Sequence, residues 1–143
     1  MEQITLMVPG KPQGKARART GYNPKAGRVT SYTPQNTVLY ENLIKTCYMQ
    51  TTDSIFSDGE AISVHINAFF EPTKSTTKKK RELMLEGEYL PTKKPDIDNI
   101  SKAVLDALNG LAYKDDAQVV QLSVSKQYSD KAYVEVHIKK LEK

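Results

Sequence analysis

The chain has 143 residues, 38% of them hydrophobic, a length at which one domain can bury its own core. It carries 21 Lys and Arg against 17 Asp and Glu, and its single cysteine excludes an intrachain disulfide and favours a reducing compartment. No apolar run approaches the ~20 residues of a membrane-spanning helix, and the N-terminus lacks a signal-peptide layout. We therefore expect one cytoplasmic domain, residues 1–143, with no membrane partner.

The first half of the chain predicts two strands on either side of a basic loop and a helix. Apolar residues alternate from Ile4 to Val8, and Pro9-Gly10 ends this strand. Residues 10–31 are predicted to form a mobile basic loop. Alternation over residues 62–70 predicts a second strand. Pro34 opens the helix, whose predicted apolar face consists of Val38, Leu39, Leu43, Ile44 and Cys47.

The second half predicts two helices followed by two strands. Residues 73–90 form either a basic helix around Lys78 to Leu85 or a partly disordered flap. Strands over residues 120–124 and 134–138 are expected to pair as a hairpin through a turn at 129–131. The order of elements predicts an α+β fold, a single domain with a mixed β-sheet packed by helices. A second helix is predicted between the basic segment and these two strands. It is capped by Asp96 or Asp98 and ends at Asn109-Gly110, and its apolar stripe consists of Ile97, Ile100, Val104, Ala107 and Leu108.

Four carboxylates flank this last helix in an otherwise basic chain. Asp96 and Asp98 stand at its start, and Asp115 and Asp116 follow it just before the next strand. Carboxylates held together raise one another's pKa unless a cation lies among them, and oxygen-only clusters suit Mg²⁺ or Mn²⁺. Each aspartate alone also fits a structural role, as a helix cap or a turn residue. The combination with a basic remainder favours a metal site for chemistry on a phosphate backbone.

One face of the same helix is polar. Asp98, Lys102, Asp106 and Asn109 fall opposite the apolar stripe. Asp98 and Lys102 are four residues apart, so their side chains are neighbours. This spacing fits a surface ion pair, and it also fits a cation beside a metal site.

Basic residues are concentrated before and around the acidic helix. No acidic residue occurs between Gln3 and Tyr40, and Tyr22 and Tyr32 in this stretch could stack on bases. Basic runs that flank carboxylates favour the steering of phosphates. The candidate nucleic-acid-binding residues are Lys11, Lys15, Arg17, Arg19, Lys78, Lys79, Lys80, Arg81 and Lys94.

Other chemistries are poorly supported. His65 and His137 lie within strand patterns, and they are expected on an outer sheet face rather than around zinc. An EF-hand starting at Asp96 would need Gly at Ser101 and Glu at Ala107, and no Gly-Lys-Ser/Thr phosphate loop is present. A non-catalytic basic nucleic-acid-binding module remains an alternative, which metal-dependent cleavage would distinguish.

The acidic segment resembles one family of nucleases. Lys94-Pro95-Asp96-Ile97-Asp98-Asn99, then Lys102-Ala103 and Asp106-Ala107-Leu108, then Asp115-Asp116-Ala117-Gln118, is similar to the RusA-type Holliday junction resolvases. The resemblance implies a homodimeric, Mg²⁺-dependent endonuclease that nicks opposed strands of four-way DNA junctions in recombination and repair. It implies that Asp96, Asp98 and Asp116 are the catalytic, metal-binding carboxylates and Lys102 the catalytic lysine, with Asp115 the adjacent acid. The stretch from Pro72 to Lys94 is longer than in compact members of the family.

Overall fold

The computed structural model describes residues 2–16, 19–32 and 34–142, without the side chains of Arg19 and Tyr32. Three helices and two β-sheets are found in this part of the chain. In chain order the elements are β1 (Gln3–Pro9), β2 (Arg19–Asn23), β3 (Arg28–Tyr32), α1 (Gln35–Thr51), β4 (Ile62–Phe70), α2 (Lys78–Leu85), α3 (Ile97–Leu108), a short 3-10 helix (Asp116–Gln118), β5 (Val119–Tyr128) and β6 (Tyr133–Lys140).

The main sheet has four strands in the order β1-β6-β4-β5 and is mixed. β6 pairs antiparallel with both β1 and β4, and β4 pairs parallel with β5. A parallel pair cannot be joined by a tight turn, so the chain between β4 and β5 must cross over, and this crossover contains α2 and α3. The crossover therefore carries all four aspartates of interest.

One face of the sheet is covered by helices and the other is open. Inward residues of β4 and β6, such as Ile66 and Val136, form one core with apolar residues of α1 and α3, such as Ile44 and Val104. The outward face of the same strands is polar, and His65 faces His137 there across β4 and β6, as predicted for these histidines. The predicted α+β fold with a mixed sheet is confirmed.

Two predictions of local structure are wrong. Residues 10–31 are not one loop, because β2 and β3 form a two-stranded antiparallel ribbon within them. β5 and β6 do not form a hairpin, because β4 lies between them. Helix α2 and the strands β1 and β4 lie where the sequence predicts them.

The link between β5 and β6 crosses the end of β4. Two strand spacings of about 4.8 Å separate β5 from β6, and four residues can span about 13 Å, so residues 129–132 are long enough. The backbone N–H of Ser129 donates to the carbonyl of Phe70 at 2.9 Å, and that of Ala132 donates to the Glu71 carboxylate at 3.2 Å. A short link with turn residues is therefore compatible with a strand inserted between its two ends.

Some predicted apolar faces are displaced. The buried face of α1 is built on Tyr40, Ile44 and Tyr48, while Leu39 is exposed. In α3 the stripe is buried except for Ile97, which precedes the first turn that packs on the sheet. In β5 the residues Val120 and Leu122 are 59% and 46% exposed, because the strand lies at the sheet edge and its register with β4 shifts near Val120.

No helix in the described ranges is long and apolar enough to cross a membrane.

Candidate active site

Asp96 and Asp98 lie at the first turn of α3, and neither carboxylate is used to hold the helix together. Asp96 is the N-cap residue by position, but its side chain makes no capping hydrogen bond, and only its carbonyl accepts from Ile100 N–H at 3.0 Å. Asp98 is exposed, and its carbonyl accepts from the Ser101 hydroxyl at 2.8 Å. The N-terminal end of a helix dipole favours negative charge. Both carboxylates are thus available to a ligand.

Lys102 and Asp106 continue the polar face of α3 by one turn each. Lys102 is exposed, and no salt bridge joins it to Asp98 or to another carboxylate of the described residues. The surface ion pair that the spacing allowed is therefore not formed. The ammonium of Lys102 still acts electrostatically on Asp116 across the gap between α3 and the following loop.

A buried glutamine holds that following loop. The side-chain carbonyl of Gln118 accepts from the N–H groups of Lys114 and Asp115 at 3.0 and 3.2 Å. Its side-chain amide donates to the carbonyls of Ser57 and Glu60 at 2.8 and 3.1 Å. Gln118 is 8% exposed, and all of these bonds are inside the protein. It fixes the loop that carries Asp115 and Asp116 to the segment before β4.

The two aspartates of this loop have different surroundings. The side chain of Asp115 caps the 3-10 helix by accepting from Ala117 N–H at 3.4 Å. Asp116 is exposed, and a hydrogen bond to the Asp115 carboxyl group raises its pKa above the ordinary value. Partial desolvation and the negative charges of Asp115 and Asp106 raise it further, while Lys102 lowers it. Asp116 therefore lies in a region of excess negative charge.

A loop from the start of the chain lies over the first turn of α3. The backbone N–H of Lys15 donates to the Asn99 carbonyl at 2.8 Å. A Cβ on Gly14 would be 2.8 Å from the Cβ of Asn99 and 3.1 Å from that of Pro95, closer than ordinary contacts allow. Only glycine permits this approach, so Gly14 sets the distance between the loop and the residues around Asp96.

Lys15 ties this loop to two helices. Its ammonium is 3.1 Å from Glu41 of α1 and 3.5 Å from Asp106 of α3, and all three side chains are mostly shielded from solvent. An ammonium satisfied by two carboxylates is a poor candidate for a phosphate contact. Lys15 instead holds Asp106 in place on the side of α3 that faces the 115–116 loop.

A cavity of about 470 Å³ opens beside Asp96, and we call it the Asp96 cavity. Its walls come from residues 11–16 on one side and from Lys94, Pro95, Asp96 and Asn99 on the other. Lys126 of β5 holds the second wall by donating to the carbonyls of Lys93 and Pro95 at 2.6 and 3.0 Å. The cavity combines a free carboxylate with the exposed cations Lys11 and Lys94.

The remaining predicted cations are divided between several surfaces. Lys78, Lys79 and Lys80 are exposed on α2, and Arg81 is half-buried there. The backbone of Arg19 begins β2. Arg17 lies outside the described residues, as do the side chains of Arg19 and Tyr32. Tyr22 is 68% exposed in the ribbon.

The carboxylates fit a hard divalent cation in chemistry but do not form a closed ligand set. Within residues 2–16, 19–32 and 34–142, no three Asp, Glu, His or Cys side chains are close enough together to hold an ion by themselves. Magnesium usually binds through one or two carboxylates together with water and substrate phosphates, so an all-protein set is not required. The oxygen-only donors and the crowding of negative charge at Asp116 match this mode of binding.

Sequence reasoning named Asp106 and Gln118 without a positioning role, and it missed Gly14 and Lys126 as residues that position the site. Asp106 acts on Asp116 through its charge, and the signal for it was its spacing of four from Lys102. Gln118, Gly14 and Lys126 act through contacts between distant segments, which no local pattern marks.

The comparisons with known proteins agree with the motif. The family model described as Endodeoxyribonuclease RusA matches residues 9–139, nearly the whole chain. The chain therefore belongs to the RusA endodeoxyribonuclease family, a class of enzymes that hydrolyse phosphodiester bonds in DNA. It is also 35% identical over 142 residues to a Bacillus subtilis (strain 168) protein described as "Uncharacterized protein YqaN", covering 99% of each chain.

Proposed function

We propose that this chain is a Mg²⁺-dependent, structure-specific endodeoxyribonuclease that resolves four-way DNA junctions by paired cuts. Asp96, Asp98 and Asp116 hold the metal, with Mn²⁺ as a possible substitute, and Lys102 acts on the reacting phosphate. The chain works as one endonuclease domain, in a homodimer, on the branched DNA of recombination and repair. Family membership supports the nuclease activity.

The crowding of negative charge at Asp116 is the observation that carries the metal site. Asp115 and Asp106 raise the pKa of Asp116, so the ionised carboxylate is less favourable there than in an isolated aspartate. A divalent cation bound beside Asp116 offsets the repulsion between these carboxylates, so their arrangement favours metal binding. Among the residues that the structure describes, the carboxylates of Asp96 and Asp98 have no structural partner that would compete for them.

The chain's own residues supply the remaining parts of the reaction. When bound, Mg²⁺ polarises the scissile phosphate and lowers the pKa of a coordinated water. The ammonium of Lys102 forms no salt bridge with the described residues, stands on the same face of α3 as Asp98, and stabilises negative charge that develops on the phosphate. Lys11 and Lys94, at the rim of the Asp96 cavity, hold the flanking phosphates.

The dimer in this proposal is supported by the edge strand β5. Its outer edge pairs with no described strand, and it exposes the apolar side chains of Val120 and Leu122. Long exposed apolar edges are normally covered in soluble proteins. A second copy of the chain would cover this edge, and its two-fold symmetry would match the two-fold symmetry of a junction.

Cleavage of a labelled four-way junction beside a linear duplex of the same sequence tests the function. We expect paired cuts in the junction with Mg²⁺, none with chelator, and little cutting of the duplex. Asp98→Asn should abolish cleavage and leave junction binding intact or tighter, because one negative charge near DNA is removed. Asp53→Asn changes an exposed acid after α1 and should cut like the wild type.

Equal cutting of duplex and junction would contradict the structural specificity. Undiminished cleavage by Asp98→Asn would show that this carboxylate does not hold the metal. Tight junction binding without any metal-dependent cleavage would favour a non-catalytic binding module instead.

A further inference from the structure

A second cavity, of about 380 Å³, lies between α2 and the end of the sheet, and we call it the α2 cavity. Its floor is apolar, formed by the buried side chains of Phe70, Met84 and Pro91. Two tyrosines line it, Tyr89 with 47% of its surface exposed and the half-buried Tyr128. Threonines and lysines complete the lining, and its apolar and aromatic part suits a flat, uncharged ring system.

The rim of the α2 cavity is cationic. Lys11, Lys80, Lys93 and Lys94 line it. Glu71 is the acidic residue among the lining side chains, and its carboxylate already accepts from Ala132 N–H. The ammonium of Lys80 stands 5.6 Å from the ring centre of Tyr89, within the range of a cation–π contact. An aromatic pocket under a ring of lysines matches a base attached to a phosphodiester backbone.

The α2 cavity adjoins the candidate active site. Lys11 and Lys94 line both this cavity and the Asp96 cavity, so the two openings share a wall. Asp96 is only two residues after Lys94, and Lys126 fixes the segment between them through the carbonyls of Lys93 and Pro95. A nucleotide seated in the α2 cavity would therefore place its own phosphates beside the carboxylates.

We propose that the α2 cavity binds one unpaired DNA base next to the phosphodiester bond that is cut. This inference rests on the proposed function and adds a physical basis for its preference for branched DNA. A duplex is far wider than the cavity, so only a base that has left the stack can enter. Removing a base from a stack costs a few kcal/mol, least where pairing is already interrupted, as at a branch point. The segment Pro72–Lys94 thus recognises the branch point of the DNA.

Abasic substitution in the DNA, combined with substitution in the protein, tests this proposal. Binding is measured in chelator, with four-way junctions that carry one abasic nucleotide at each position around the branch in turn. We expect one symmetry-related position at which the abasic nucleotide weakens wild-type binding about tenfold, the usual scale for losing a base stacked on an aromatic ring. Tyr89→Ala should weaken binding of the intact junction by a similar factor.

Non-additivity at that position is the decisive result. If Tyr89 contacts that base, Tyr89→Ala on the abasic junction should bind no more weakly than either change alone. Tyr89→Phe keeps the ring and should restore wild-type binding. Tyr22→Ala removes an exposed tyrosine of the ribbon that lines neither cavity, and its effect should multiply with that of the abasic nucleotide. Linear duplex should bind Tyr89→Ala as well as it binds wild type.

The proposal is overturned if the losses of junction affinity caused by Tyr89→Ala and by the abasic nucleotide multiply at every position. It is also overturned if an abasic nucleotide weakens binding at no position. A loss that is equal on duplex and junction would make the cavity a backbone contact and would also overturn it. Failure of the proposed function is separate: it would appear as no Mg²⁺-dependent cutting and no preference for junction over duplex in the wild type. Circular dichroism checks that Tyr89→Ala is folded. The comparison of Tyr89→Phe with wild type is interpretable even if Tyr89→Ala does not fold.

Discussion

At the scale of single residues, the two neighbouring aspartates before β5 divide their roles. Asp115 caps the 3-10 helix and crowds its neighbour, while the exposed Asp116 carries the raised pKa. A raised carboxyl pKa disfavours the ionised form that a metal needs. If Asp116 binds the proposed metal, Asp115 therefore influences the pH at which binding begins.

Asp115→Asn should shift the pH dependence of the site to lower pH. Asparagine is as good an N-cap as aspartate, so the 3-10 helix is retained, but the charge that raises the pKa of Asp116 is removed. The pKa of Asp116 should fall, and the acidic limb of the cleavage profile should fall with it. Carboxyl-carbon NMR of Asp116 in the metal-free protein measures the pKa directly. A pKa that stays the same or rises would show that Asp115 does not control Asp116.

Substitutions of Lys102 distinguish a catalytic role of this residue from a structural one. Because it forms no salt bridge in the structure, Lys102→Ala should change the free energy of unfolding by less than about 0.5 kcal/mol. Loss of a cation at the reacting phosphate should slow single-turnover cleavage by about 10²–10³-fold, by analogy with a lost transition-state donor. Lys102→Arg keeps the charge on a planar group of different shape and tests whether charge alone suffices. Wild-type cleavage by the alanine variant at saturating Mg²⁺ would make Lys102 a surface residue.

At the scale of elements, the site depends on segments that are distant in sequence. Gln118 joins the loop after α3 to the segment before β4, and Gly14 lets the loop after β1 approach the start of α3. Lys126 does the same from β5. Each is a packing or hydrogen-bond constraint between two elements rather than a feature of one.

Gln118→Ala should displace the loop that carries Asp115 and Asp116. The change leaves partly buried N–H and carbonyl groups without their protein partners, at a cost of about 1 kcal/mol in the free energy of unfolding. Cleavage should fall more than stability alone explains, because Asp116 loses its position. Gln121→Ala, an exposed glutamine of β5, is the matched control and should change neither. Chemical denaturation and cleavage rates measure the two effects, and full activity of Gln118→Ala would contradict the positioning role.

These contacts explain which predictions succeeded. The strand β4 and the apolar stripe of α3 apart from Ile97 are periodic local patterns, and they lie where the sequence predicts them; for residues 73–90 the structure selects the helix from the two alternatives. The β5–β6 hairpin was wrong because a short link constrains its two ends but not what passes between them. The loop at residues 10–31 was wrong because a ribbon exposed on both faces has no apolar alternation, as Tyr22 and Val29 illustrate. The motif singled out Asp96, Asp98 and Asp116 as candidates, which stay a prediction, and the contacts that support these segments are long-range ones that one sequence does not reveal.

At the scale of the whole molecule, the chain has one covered sheet face, one open face and an apolar edge. The open face carries polar pairs such as His65 and His137. The edge strand β5 differs, because Leu122 pairs in register with the buried Val64 but is itself 46% exposed. This makes β5 the surface where a second copy is expected.

Leu122→Glu should therefore weaken the proposed homodimer. A buried, unpaired carboxylate at an interface is strongly unfavourable, while the same change on a free surface costs little. Sedimentation velocity should show a shift from dimer to monomer, and junctions should then be nicked once rather than cut in pairs. Leu39→Glu introduces the same charge at an exposed leucine of α1 and should leave the mass unchanged. An unaltered mass for Leu122→Glu would place the interface elsewhere.

The central position of β6 in the sheet has a consequence for how the protein folds. β6 follows every other described element in the chain, yet it is the strand that joins β1 to β4. Contacts between such distant parts of a chain form slowly, because closing the long loop between them costs conformational entropy before the new contacts can compensate for it. The helix that carries Asp96 and Asp98 has no closed sheet to pack on until then. The protein should therefore acquire its cutting activity in one late step of folding rather than by degrees.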